Sequence, residues 1–95
     1  MRLQLYTSKR GAVDPNLVAL QHPGLVALPT VLVCPVRLGL SWTPVRVEVP
    51  WGGKSFVVAC DLIRPVNRKL LRAVGELDEG RSQAILSTFL RLLSG

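Results

Sequence analysis

Apolar residues recur at every second position in short runs through most of this chain, and at helical spacing only near its end. Alternation of that kind reads as half-buried strands, because successive strand side chains point to opposite faces. Arg2–Tyr6 alternates strictly. Asn16–Gln21 reads as a second strand, ended by His22-Pro23-Gly24, where Pro fixes one backbone angle and Gly permits the reversal. Thr30–Val36 is nearly all apolar and β-branched, as expected of a central strand buried on both faces, with Pro35 at its far end. Val45, Val47 and Val49 alternate with Arg46 and Glu48. After Pro50-Trp51-Gly52-Gly53 the run Ser55–Cys60 returns, which predicts a hairpin with one polar face.

Between these runs lie two loops, Thr7–Asp14, read as an exposed and mobile basic loop, and Arg37–Thr43. Pro65 and Asn67-Arg68-Lys69 are expected to end the strand region, leaving a short turn or helix around Arg68–Leu71. Asp78 is placed to cap a last helix, since its carboxylate can accept the free amide hydrogens of the first turn. Ile85, Phe89, Leu92 and Leu93 then form one apolar stripe. The prediction is mainly β with a C-terminal helix: five short strands in a small, strongly curved antiparallel sheet or barrel, closed by the helix, in one domain over residues 1–95.

Hydrophobic residues make up 48% of the chain and charged residues 19%, which excludes a disordered polyampholyte. So small and apolar a domain is expected to hide one face against another subunit. Twelve Lys and Arg against six Asp and Glu give a net charge of +6, which attracts polyanions or an acidic protein. The cations are spread along the chain, so a basic patch has to be assembled by folding. Cys34 and Cys60 sit inside apolar runs and read as buried free thiols, a disulfide needing an oxidising compartment. With no signal-peptide pattern and no apolar run near the roughly 20 residues that span a bilayer, a cytoplasmic location is expected.

The single histidine, His22, lies in a turn and reads as a solvated group. Two distant cysteines and one histidine give no zinc spacing, no carboxylate pair suggests acid/base work, and Gly52-Gly53 lies between strands and not before a helix. No metal or cofactor is expected, and Glu48 reads as a surface sheet residue. The chemistry left needs only cations and hydroxyls, such as attack of an RNA 2′-hydroxyl on its own phosphate. Arg10, Arg37, Ser41, Thr43 and Arg46 can supply it if the loops converge, although each taken singly is more often a solvated group. Trp42 and Trp51 suit either base stacking or a protein interface.

Several strings resemble a known superfamily. Met1–Arg10 is similar to the first strand of CcdB, the gyrase-poisoning toxin, and Leu17–Gln21 with Leu28–Pro35 to its second and third. Val57–Val66, Gly75-Glu76-Leu77 and the last helix look like MazF, the related messenger-RNA interferase. The resemblance implies an SH3-like barrel, a homodimer, and an acidic antitoxin protein as partner. It implies growth inhibition through DNA gyrase in the CcdB branch, which the amino-terminal strings put first, or cleavage of single-stranded RNA by an endoribonuclease in the MazF branch. In the first case the target-binding residues are Phe89, Leu92, Leu93, Ser94 and Gly95. In the second, Arg10, Arg37 and Thr43 are catalytic, and Lys9, Arg10, Arg37 and Arg46 bind nucleic acid. Arg37 stands where MazF enzymes carry a hydroxyl, and the chain ends without the aromatic and isoleucine of CcdB. A non-catalytic barrel that keeps only the antitoxin surface is the third expectation.

Overall fold

The computed structural model describes residues 2–20, 29–38 and 46–94. In chain order the elements are β1 (Gln4–Thr7), β2 (Leu17–Ala19), β3 (Thr30–Arg37), β4 (Arg46–Trp51), β5 (Lys54–Ala59), β6 (Arg64–Asn67), a 3-10 turn (Arg68–Leu70), β7 (Arg72–Glu76) and α1 (Glu79–Ser94). The strands form one antiparallel sheet in the order β4-β5-β3-β2-β1-β7, and β6 pairs with the first half of β3. The long β3 thus serves three neighbours, with Thr30–Val33 facing β6, Val33–Pro35 facing β2, and Val36 and Arg37 facing β5.

Among the described residues seven strands replace the five expected. The two missed are β6 and β7, of sequence Arg-Pro-Val-Asn and Arg-Ala-Val-Gly-Glu, which are too short and too poor in apolar residues to show alternation. Pro65 is tolerated because β6 pairs with β3 alone among the described residues, so a missing N–H can face away from the ladder, and Pro50 at the β4 edge meets the same condition. The turn at Arg68–Leu70 is found as expected, capped by Asn67, whose side chain accepts from the Lys69 amide. The hairpin between β4 and β5 turns on Gly52 (φ 58°) and Gly53 (φ 77°), two consecutive positive angles that suit a type I′ turn and that only glycine adopts freely. The predicted reversal at His22-Pro23-Gly24 lies outside the described residues.

The strand buried on both faces is β2 and not the whole of β3. Leu17 and Ala19 join Val31 and Val33 in a small cluster with Tyr6, Val66 and Leu71, while Val18 and Leu20 point into the main core. Thr30 and Leu32, at the start of β3, are exposed, which corrects the expectation of a two-faced buried strand over Thr30–Val36. The main core lies between the sheet and α1 and gathers Leu3, Leu5, Cys34, Val36, Val49, Phe56, Val58, Cys60, Leu77 and Ile85.

Asp78 caps α1 as expected. Its carboxylate accepts from the Arg81 amide at 2.7 Å and from the Arg81 guanidinium at 2.7 Å, and these bonds hold it below the ordinary carboxylate value. The helix meets the core through the first half of the stripe read in the sequence, Ile85 and Phe89, and not through Leu92 and Leu93. Ser82, Ile85 and Thr88 are buried and Phe89 half-buried, whereas Leu92 is 37% and Leu93 70% exposed. Polar Ser82 and Thr88 can be buried because each has a partner: Ser82 Oγ accepts from the Leu3 amide at 2.8 Å, and the Thr88 hydroxyl donates to the Ala84 carbonyl at 2.8 Å. At the far edge, half-buried Trp51 lies over Gly75, where a Cβ would collide with its ring. Trp51 therefore bridges β4 and β7, the two ends of the strand order.

Candidate functional site

The segment between β1 and β2 carries Lys9, Arg10 and Gly11. The positive φ of Gly11 (76°) lets the chain turn back, with the Ala12 amide donating to the Lys9 carbonyl at 3.3 Å. This loop is tied at its base and flank. Ser8 and Asn16 exchange two hydrogen bonds, Asp14 pairs with Lys54 at 2.7 Å, and the Arg72 guanidinium donates to the Ala12 carbonyl. The basic loop is exposed at Lys9, Arg10 and Gly11, as expected, and forms a wall tied to its surroundings at several points.

That wall and the end of β3 enclose a cleft of about 680 Å³. One side is Lys9 and Gly11–Asn16. The other is Pro35–Leu38 with Arg64, and buried Phe56 lies beneath. The Val36 amide donates to the Asn16 carbonyl at 2.9 Å, which fixes the two sides at their base. Among the described residues three cations line the cleft, Lys9, Arg37 and Arg64, against one carboxylate, Asp14, already neutralised by Lys54. Such a site favours anions, since fixed positive charge beside a low-dielectric floor attracts phosphate or carboxylate more strongly than an open surface does.

The predicted site residues divide into groups. Lys9 and Arg37 meet in the cleft; Arg10 is exposed on the same loop but does not line it. Arg46 is turned elsewhere, its Nε 3.5 Å from Asp61 with side chains 18% and 32% exposed. Thr43, Ser41, Trp42 and His22 lie outside the described residues, as does Gly95. Phe89 is half-buried on the core, and Leu92, Leu93 and Ser94 stand at the exposed end of α1. The residue that sequence reasoning missed is Arg64. It opens β6, a strand not foreseen, and only the register pairing Arg64 with Val33 brings it to the cleft.

No described side chain lining the cleft is a histidine, a hydroxyl or an unpaired carboxylate, and the lining charge suits an anion. Among the described residues there is also no group of three His, Cys, Asp or Glu able to hold a metal ion. No helix among them is long and apolar enough to cross a membrane.

Neither protein-family models nor curated proteins give a match to this chain. Solved structures do. The Mycobacterium tuberculosis toxin MazF-mt6 superposes with a TM-score of 0.75 at 16% identity, covering 99% of this chain and 97% of its own. MazF in the MazE–MazF structure from Deinococcus radiodurans gives 0.73 at 18%, covering 97% and 89%. At such identities it is the architecture that is shared, and the chain therefore carries a MazF-like fold over nearly its full length.

Proposed function

We propose that this chain is the toxin of a type II toxin–antitoxin pair, acting in the cytoplasm as a metal-independent endoribonuclease on single-stranded RNA. The observation that carries the reading is the cleft, where Lys9, Arg37 and Arg64 converge with the one carboxylate occupied by Lys54, on a fold of the MazF type. In the reaction an RNA 2′-hydroxyl attacks the adjacent phosphorus and the bond to the 5′ oxygen breaks. A 2′,3′-cyclic phosphate is left on one fragment and a 5′-hydroxyl on the other, the attacking oxygen's proton being balanced by the one the leaving oxygen gains. Arg37 and Arg64 stabilise the charge gathering on the phosphate, Lys9 and Arg10 hold the strand, and Ser41 or Thr43 is the candidate for moving the proton.

A second copy of the chain is the proposed cover for the exposed Leu90 and Leu93, and the +6 charge suits an acidic antitoxin, the neighbour from Deinococcus being itself a MazE–MazF pair. The sequence strings put gyrase first. The order is reversed here because the two solved structures named above are of the MazF kind, and the exposed leucines at the end of α1 are what still favours a gyrase-like protein target.

Incubation of the purified chain with a long mixed-sequence RNA in the presence of a metal chelator tests the proposal. Cleavage leaving cyclic-phosphate ends, abolished by Arg37→Ala and weakened by Arg10→Ala, is the expected result. Intact RNA at excess protein would overturn it, and gyrase-dependent DNA cleavage in a parallel reaction would establish the second reading.

A further inference from the structure

We infer that Cys34 and Cys60 are a disulfide-forming pair, a modification site built into the core between β3 and the end of β5. Proximity carries the inference. Val36 faces Val58 and Arg37 faces Val57, and Cys34 and Cys60 stand two residues beyond the Val36–Val58 pair, Cys60 just past the end of β5. Cys34 Sγ lies 4.0 Å from the Cys60 carbonyl oxygen, and both residues are fully buried in the same cluster. A disulfide needs Cα atoms roughly 4.4–6.8 Å apart, the spacing at which neighbouring antiparallel strands hold facing residues. Nothing in the proposed RNA chemistry uses either thiol.

The oxidant is a low-molecular-weight disulfide such as glutathione disulfide, which is available to a cytoplasmic chain under oxidative stress and not under ordinary reducing conditions. One cysteine thiolate attacks it, forming a mixed disulfide and releasing one glutathione. The second cysteine attacks the protein-side sulfur and releases the other. Two protons and two electrons leave the protein, and one disulfide is reduced to two thiols. The folded protein resists this exchange, because both thiols are fully buried and an oxidant in solution cannot reach either sulfur. The bond therefore forms while the chain is open, and folding then encloses it. Oxidation cross-links the 26 residues of sequence separation that contain the β4–β5 hairpin, three residues from Arg37 on the cleft wall.

The full-length chain, unfolded under reduction and refolded with a glutathione redox mixture, provides the test. The expected product is about 2 Da lighter than the reduced chain, has no thiol open to alkylation in denaturant, and is not linked between chains. It melts about 5–15 °C higher than the reduced form, an advantage lost on adding dithiothreitol. Cys34→Ala and Cys60→Ala should each abolish the mass loss. Two thiols remaining after refolding, a glutathionylated or chain-to-chain product, or an oxidised form that melts lower than the reduced one would each overturn the inference. The wild-type mass and thiol count decide the matter even if a variant fails to fold.

Discussion

Replacing Ser82 with alanine removes one oxygen atom and strands one amide. Ser82 is fully buried, and its Oγ is the acceptor for the Leu3 amide at 2.8 Å, a bond spanning 79 residues that joins the entry to β1 with the first turn of α1. Leu3 is itself fully buried, so water cannot take the oxygen's place. An unsatisfied buried amide costs about 1–3 kcal/mol. Alanine recovers about 0.5 kcal/mol through its better helix propensity, leaving a net loss of about 0.5–2.5 kcal/mol. With an unfolding entropy of about 2.1 cal/mol/K per residue, a chain of this size loses about 5 °C in Tm for each kcal/mol. The assay is thermal and urea unfolding at one fixed protein concentration, since midpoints of an associating protein move with concentration. Exposed Ser87, on the same helix, is the control: Ser87→Ala gains the propensity and loses only an exposed bond from Gln83. If Ser82→Ala proves as stable as Ser87→Ala, the bond to Leu3 contributes nothing and the reasoning fails.

Arg37→Ala and Arg64→Ala should each weaken binding of a fluorescent single-stranded RNA and reduce the salt dependence of log K by about 0.7 per lost phosphate contact, read by anisotropy across a salt series. Lys54→Ala frees Asp14 to repel phosphate inside the cleft and should weaken the same binding, whereas Asp14→Asn should strengthen it. Gly75→Ala should cost about 1–3 kcal/mol by driving a methyl into the Trp51 ring, and the loss should shrink in a Trp51→Leu background, as a double-mutant cycle in urea can measure. Asp78 is held below its ordinary value in the folded chain, so its stabilising effect is full above its unfolded pKa of about 3.9 and is lost as the pH falls through the folded value. Asp78→Asn should therefore flatten the fall in stability on the acid side, seen by denaturant titration at several pH values.

What could be read from the residues followed from strong local signals. Alternation at Arg2–Tyr6, the glycine pair between Val49 and Ser55, and the Asp78 cap each rest on near neighbours, and the structure places a strand, a two-residue turn and a helix start there. The losses came where tertiary partners decide. Arg64–Asn67 is a strand because Thr30–Val33 offers it an edge, and Arg72–Glu76 because β1 does, although neither segment alternates. Missing β6 meant missing Arg64, and with it a third of the cationic lining. The second half of the helix stripe failed for a related reason. Period alone favoured Leu92 and Leu93, which are exposed, whereas Ser82 and Thr88 are buried because the Leu3 amide and the Ala84 carbonyl give them hydrogen bonds that hydropathy cannot register.

The position of β1 has a consequence for how the molecule comes into being. Its neighbours are β2 and β7, the Leu77 amide closes on the Leu3 carbonyl, and Ser82 closes on Leu3 from the helix. A ribosome delivers β1 well before these closing partners, so the strand waits with one edge uncovered while the residues between them are made. Assembly is thereby deferred to the moment α1 emerges.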